Sequence, residues 1–236
     1  MNRQVSAAID AMVASTHTLQ RSITDLTDEQ AREPSLLPAW SRGHVLAHLA
    51  LNAQGLGNLV SWATTGVETP MYVSREQRSA DIEAGSGRPA AELVGWVDAS
   101  HRRLLEAMSE VPDEGWERRV RWGKDGRESE ASLVPKLRRV EVEVHHVDLD
   151  LDYTLAHLPS DFVLTMLARR AKDLSERDDL PGFVLVGNDN EGTWTVGAGG
   201  FEITGTPPSL LGWVLGRTDG IGVHSEQALP VLGPWR

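Results

Sequence analysis

The sequence predicts an α+β protein in which a four-helix bundle, residues 1–155, is followed by a small α+β domain, residues 156–236. Apolar residues recur at helical spacing through the first part, whereas short β-rich runs separated by glycines follow Pro159. Apolar residues make up 40% of the chain, which is enough for a sizeable core. Four long helices with modest connections favour an antiparallel bundle.

The first two long helices are predicted from spacing and capping. Residues 2–24 place apolar side chains at helical intervals, which indicates an amphipathic helix. The segment Leu26–Ala39 contains two prolines and predicts a loop returning along that helix. Ser41 then suits the N-cap of a second helix over residues 42–64, because its hydroxyl can accept a bond from a free backbone N–H.

Shorter elements connect this helix to the rest of the bundle. Gly66–Ser74 predicts a loop, and Arg75–Ala84 a short helix that ends at a glycine-rich break. Pro89 is well placed as the first residue of a third long helix, which is expected to end near Glu110. The segment 111–130 contains WERRVRW followed by GKDG, which indicates a small hairpin.

The fourth long helix, with Ser132 as its predicted cap and Pro135 in its first turn, carries an unusual polar stripe. Glu141, His145 and Asp148 follow one another at offsets of four and three, so they share one helical face. Their neighbours are mostly valines. A polar stripe in so apolar a segment indicates a binding partner, and Arg138 extends the same stripe.

The second domain is predicted to begin with a helix over residues 160–177. A further helix is expected over residues 207–216, followed by a turn over residues 217–220. Three glycine-punctuated runs between these helices predict strands at Phe183–Val186, Thr193–Val196 and Phe201–Thr204.

Composition excludes several classes of function. The net charge of −11 opposes binding to a nucleic-acid backbone, so no nucleic-acid partner is expected. No apolar run reaches the length of a membrane span, and the N-terminal segment is a poor secretory signal. We therefore expect a cytoplasmic protein without a membrane partner. A monomer is also expected.

The chain contains no cysteine, so any metal site must use nitrogen and oxygen ligands. Glu141 and His145 offer two such ligands one helical turn apart, and the third is expected from His44 or His48 on the second helix. His48 is preferred because it lies deeper in the apolar run, and His44 then has a structural role. Asp148 lies on the order of 10 Å along the helix axis from Glu141, so it is expected to support a ligand or face a substrate.

Ordinary structural roles could also explain these patterns. A Glu four residues before a His is most often an exposed ion pair on a helix surface, and this interpretation remains open for Glu141 and His145. The neighbouring Glu143 and His146 are interpreted as such a surface pair.

Three segments together resemble the mycothiol-dependent maleylpyruvate isomerase family. They are LLPAWSRGHVLAHLALNAQGLGNLVSWATTGVETPMYVS, VEVEVHHVDLD and GWVLGRTDG, which begin at Leu36, Val140 and Gly212. The tryptophan–loop–histidine helix is shared with the wider family of DinB-like metal-binding bundles. The resemblance implies a DinB-like four-helix bundle followed by a small α+β domain.

The resemblance also implies chemistry and residue roles. The metal, zinc or another divalent cation, is implied to bind His48, Glu141 and His145, while Asp148 and Arg217 match positions that the family uses in catalysis. The implied reaction converts maleylpyruvate to fumarylpyruvate in gentisate breakdown, with mycothiol as cofactor. Its steps would be thiolate addition to the double bond, rotation about the resulting single bond, and elimination of the thiol.

Arg217 is expected to pair with a carboxylate of this dicarboxylate substrate, at a site between the two domains. Two alternatives stay open. The first is another mycothiol-dependent transferase or isomerase built on the same scaffold, and the second is a non-catalytic metal-binding module.

Overall fold

The computed structural model describes residues 3–123, 126–188, 191–233 and 235. Its internal contacts divide the chain into two units, Met1–Asp152 and Tyr153–Arg236. Helices predominate in the described residues, and the strands form two small sheets, one in each unit. The predicted α+β class is confirmed.

The first unit is a helical bundle with a small hairpin. Its helices α1, α3, α5 and α6 are the four long ones, and α2 and α4 are shorter. The helices are α1 (Arg3–Ile23), α2 (Asp28–Arg32), α3 (Arg42–Thr65), α4 (Arg75–Ser86), α5 (Ala90–Ser109) and α6 (Val134–Asp148), with the paired strands β1 (Arg119–Trp122) and β2 (Arg127–Glu130) before α6.

Helix α3 is the central element of this bundle. It packs against α5, α4 and α6, while α1 packs against α6. Its sequence is apolar on nearly every face, as expected for a helix surrounded by others. Leu46, Leu49, Leu56 and Leu59 are almost completely buried. This core fixes the position of α3 relative to α6, on which the candidate site depends.

Local capping explains where the helices of the bundle begin. Ser41 caps α3 as predicted: its side chain accepts from the backbone N–H of His44, whose ring in turn accepts from the Ser41 N–H. The segment expected to be a loop contains the short helix α2, because Thr27 and Gln30 form another such capping box.

Two predicted helix starts differ from the structure. Pro89 lies at the N-cap, and α5 begins one residue later at Ala90. Ser132 does not cap α6, since it lies in a 3₁₀ turn over Ala131–Leu133, and its hydroxyl donates to Glu130 at 3.2 Å. Pro135 in the first turn of α6 has no N–H to be capped. The predicted hairpin is confirmed by β1 and β2, and Lys124 and Asp125 of its turn lie outside the described residues.

The second unit has a mixed sheet and two helices. Strand β3 (Phe183–Gly187) pairs antiparallel with β4 (Thr193–Val196) and parallel with β5 (Phe201–Gly205). The sequence did not predict a short edge strand, β6 (Val223–His224), which pairs with β5. Helices α7 (Ser160–Ser175) and α8 (Pro207–Val214) pack against each other. Alternate residues of β3 are buried, and the ring centroids of Phe183 and Trp213 of α8 lie 5.8 Å apart.

The length and hydropathy of the helices bear on the prediction that no segment spans a membrane. Among the described residues, no helix combines the length and the hydropathy needed to cross a bilayer.

Candidate metal centre

Three side chains from two packed helices meet inside the bundle. His48 is on α3, and Glu141 and His145 lie one turn apart on α6. His48 Nε2 lies 2.8 Å from Glu141 Oε2, and His145 Nε2 lies 3.5 Å from the same oxygen. The two imidazole rings meet edge to face with their centroids 4.6 Å apart. Ligand atoms of all three residues lie within 4.8 Å of one another.

The cluster is buried on its histidine side and open at the carboxylate. The side chain of His48 is 4% exposed and that of His145 13%, whereas Glu141 is 30% exposed. An exogenous ligand therefore has access at Glu141, while both imidazoles are held by the surrounding helices. This is the arrangement expected of a site that binds a metal and a further molecule.

The electrostatics of the cluster keep Glu141 ionised. Burial opposes its charge, but hydrogen bonds from His145 and His48 hold the pKa of Glu141 well below its usual value. Burial, together with the nearby His145, lowers the pKa of His48 to about 4. Because His48 is therefore neutral near pH 7, its Nε2–H donates to the Glu141 carboxylate.

Asp148 lies behind His145 and holds its ring. Its Oδ2 is 2.8 Å from His145 Nδ1, and its side chain is completely buried. Burial opposes the charged imidazole, but bonds to Asp148 and Glu141 raise the pKa of His145. Asp148 fixes Nδ1 as the protonated nitrogen, so Nε2 is the ring atom directed at Glu141.

A second partner of the site comes from α4. Arg78 Nη2 donates to His48 Nδ1 at 2.8 Å, and its guanidinium lies 5.5 Å from the centre of the Tyr72 ring. Burial raises the pKa of Tyr72, and hydrogen bonds with Arg78 and Asn52 act against this rise. Arg78 and Tyr72 are half-buried. Sequence spacing gave no signal for Arg78, because it lies 30 residues from His48 on another helix.

The two histidines of α3 have different environments. His44 has its Nδ1 in the capping interaction with Ser41, and its Nε2 lies 3.1 Å from Glu83. Trp40 stands beside both rings, with its centroid 6.1 Å from that of His44 and 5.7 Å from that of His48. His44 therefore stabilises the start of the helix. The preference for His48 as the metal-facing residue agrees with this geometry.

Arg138, the fourth member of the stripe, lies deeper in the bundle and is fully buried. Its Nη1 donates to the Leu49 carbonyl at 2.7 Å and to Asn52 Oδ1 at 2.9 Å. Burial lowers the pKa of Arg138 to about 10, so it remains charged beneath the cluster. Its positive charge favours the ionised form of Glu141.

The interpretation of Glu143 and His146 as an exposed pair was wrong. Both are buried, with 2% and 1% of their surfaces exposed, and Glu143 accepts a short hydrogen bond from Ser15 of α1. Glu143 lies on the side of α6 that packs against α1. The prediction failed because α6 is covered on two faces, and spacing along one helix does not show how many neighbours cover it.

The donor set fits a divalent transition metal. Two imidazole nitrogens and one carboxylate oxygen are the ligands of many catalytic zinc sites, which keep a further position open. Tetrahedral zinc separates its ligand atoms by about 3.3 Å, given bonds of about 2.0–2.1 Å. The 2.8 and 3.5 Å separations at Glu141 Oε2 lie on either side of that value. Small side-chain movements would therefore allow binding of the metal.

Arg217, the other residue proposed for catalysis, lies in the second unit just after α8. Its backbone N–H donates to the Gly212 carbonyl at 2.8 Å, and its Nη1 to the Leu215 carbonyl at 2.9 Å. The guanidinium also stands 5.7 Å from the centre of the Trp235 ring. Its predicted role toward a substrate carboxylate stays a prediction.

Comparisons with known proteins agree on one family. The family model described as the mycothiol maleylpyruvate isomerase N-terminal domain matches residues 12–150. The fold is similar to a crystal structure of mycothiol-dependent maleylpyruvate isomerase, with a TM-score of 0.91 and 28% sequence identity over 100% of both chains. A crystal structure of a His-to-Ala mutant of such an isomerase gives the same values. A search of curated protein sequences gave no match.

Proposed function

The chain belongs to the mycothiol maleylpyruvate isomerase family, and we propose that it is a metal- and mycothiol-dependent cis–trans isomerase that converts maleylpyruvate to fumarylpyruvate. The proposal implies reversible addition of the thiol to the cis double bond, with no net gain or loss of atoms. The gentisate pathway would be its metabolic setting.

The cluster of His48, Glu141 and His145 is the observation that carries this proposal. It offers three nitrogen and oxygen ligands, is open on one side, and lies in the domain that matches the family. When bound there, zinc or another divalent cation supplies a Lewis acid that favours the thiolate form of a thiol. The protein itself has no cysteine, so the thiol must come from a cofactor.

The residues around the cluster would keep it ready to bind. Asp148 accepts from His145 Nδ1 and so directs Nε2 toward the metal position. Glu141 is ionised, so it can bind a cation without first losing a proton. The positive charge of the buried Arg138 favours the ionised state of Glu141. Asp148 is proposed to act on the reaction through His145, which its complete burial favours.

Arg217 is proposed to bind one carboxylate of the substrate. A guanidinium can pair with a carboxylate through two parallel hydrogen bonds, and it stays charged at every relevant pH. Two of the contacts of Arg217 are with its own turn, through the Gly212 and Leu215 carbonyls. The first is made by the backbone N–H, and the second, from Nη1, would hold the side chain in a defined direction.

The test is a spectrophotometric assay of maleylpyruvate isomerisation by zinc-loaded protein, with and without mycothiol. Turnover that requires both zinc and the thiol is expected. Removal of the metal with a chelator should abolish turnover, and added zinc should restore it. If zinc binds stoichiometrically and maleylpyruvate is not turned over, the isomerase proposal is wrong.

A different thiol-dependent transferase or isomerase is the second candidate, because 28% identity leaves room for a changed substrate. Arg217 discriminates between the two candidates. A dicarboxylate substrate needs this cation, so Arg217→Ala should impair its turnover, whereas turnover of an uncharged electrophile should be unaffected.

A further inference from the structure

The hydrogen bond between Arg78 and His48 restricts how His48 can bind a metal. A guanidinium carries only donors and does not lose its proton in proteins. The 2.8 Å contact from Arg78 Nη2 therefore requires an unprotonated Nδ1 on His48. The neutral ring then carries its proton on Nε2, which donates to Glu141.

A metal at the cluster requires the opposite tautomer of His48. Its Nε2 faces Glu141 Oε2, as does Nε2 of His145, so Nε2 is the ligand atom directed at the shared position. Coordination uses the Nε2 lone pair, and the proton of a neutral imidazole must then lie on Nδ1. Nδ1–H and the guanidinium would be two donors facing each other. Metal binding and the Arg78–His48 bond therefore exclude each other.

The surroundings of Arg78 would allow its guanidinium to take another partner when the bond to His48 breaks. It is half-buried on α4, and its guanidinium already lies against Tyr72, whose hydroxyl also bonds with it. Glu141, the exposed member of the cluster, marks the side from which a ligand enters. A released guanidinium beside that opening would keep its contact with Tyr72, and the N–H that bonded to Nδ1 could donate to another acceptor. A carboxylate would supply one through two parallel hydrogen bonds.

We propose that Arg78 is a metal-controlled carboxylate-binding residue: metal binding breaks its bond to His48 and releases the guanidinium to pair with a carboxylate of the dicarboxylate substrate. The inference rests on the metal centre of the proposed function. The inference assigns Arg78 to one carboxylate of the substrate. Arg217 was proposed above to bind a carboxylate of the same substrate.

Two consequences distinguish this role from that of an ordinary supporting residue. Residues that orient a metal ligand strengthen metal binding, and their removal weakens it by about 10–100-fold. Arg78 instead competes for the His48 tautomer, so its removal should tighten zinc binding. In the wild type, a dicarboxylate and the metal should also strengthen each other's binding, because coupling between two sites is reciprocal.

The experiment measures zinc affinity by competition with a chromophoric chelator, with and without maleate as the probe dicarboxylate. Arg78→Met, which matches the length of the side chain without its donors, should bind zinc about tenfold more tightly and lose the effect of maleate. Arg78→Gln should also bind zinc more tightly, because its amide oxygen can accept from Nδ1–H. Arg88→Met is the matched control, since its exposed guanidinium lies on Trp96 at 4.2 Å.

The results that would overturn the role of Arg78 differ from those that would overturn the proposed function. Weaker zinc binding by both Arg78 variants would overturn the proposal, since Arg78 would then only orient His48. Unchanged affinity in both would overturn it as well, and an undiminished maleate effect in Arg78→Met would overturn the carboxylate-binding role. These readouts do not depend on turnover. Failure of the proposed function would appear separately, as zinc-loaded wild type that does not isomerise maleylpyruvate.

Discussion

Replacing His48 with alanine is the strongest test of the metal centre, because a matched control lies one turn away on the same helix. His48 directs Nε2 at Glu141 from 2.8 Å, whereas His44 interacts with Ser41 and Glu83. We expect His48→Ala to lose most of the stabilisation by zinc and His44→Ala to retain it. The comparison removes the same side chain from the same helix in both cases.

The expected zinc-induced shift in Tm follows from the linkage between metal binding and folding. A ligand at about 100 times its Kd stabilises the folded state by about 2.7 kcal/mol. In a chain of this length about 1 kcal/mol shifts Tm by about 2–4 °C, so zinc should raise the Tm of the wild type by about 5–10 °C. Loss of one of three ligands that weakens binding about 100-fold leaves about 0.4 kcal/mol, or a shift of about 1–2 °C.

The assay is thermal unfolding with and without zinc, followed by circular dichroism, and the quantity compared is the zinc-induced shift of each variant. His48→Ala also leaves a cavity and His44→Ala loses a capping bond, so their metal-free Tm values will both fall. The reasoning is refuted if His48→Ala keeps the full shift, or if His44→Ala loses it. His145→Ala should behave like His48→Ala.

Three further predictions concern residues around the site and in the core. Asp148→Asn should weaken zinc binding about tenfold in a chelator competition, because it holds His145 less firmly; unchanged affinity would contradict this. Arg217→Ala should keep the zinc-induced shift while kcat/KM for maleylpyruvate falls about 10–100-fold, as expected for a lost charge-assisted bond; a wild-type rate would exclude its role. Burial lowers the pKa of His101 to about 4 from 6.5, so the folded state favours its neutral form. Stability from this residue is therefore present above pH 6.5 and lost as the pH falls toward 4. Between these values urea unfolding should show wild type losing more stability than His101→Leu, and parallel pH profiles would contradict this assignment.

Most of the fold could be predicted because its signals are local. The apolar spacing of α1, the Ser41 cap of α3 and the glycine-separated strands of the second unit all depend on residues within a few positions of one another. One failure in predicting the fold also had a local cause. Helix α2 was missed because the capping box of Thr27 and Gln30 lies in a segment whose prolines favoured a loop.

The candidate site could be predicted only in part. The offset of four between Glu141 and His145 places both on one face of α6 by helical geometry alone. His48 was preferred from its depth in an apolar run, and the packing of α3 against α6 agrees with that choice. The contact of Arg78 with His48 has no counterpart in sequence spacing, because it depends on where α4 packs against α3.

The sequence by itself determined which residue types could take part and which of them share a helix. The absence of cysteine, the polar stripe of α6 and the family motifs are properties of the chain in order. Only the tertiary structure decided the tautomer of His48, which Arg78 and Glu141 fix through hydrogen bonds from two other helices. The physical reason is that hydrogen bonds depend on distances of about 3 Å between side chains that helix packing brings together from distant parts of the sequence.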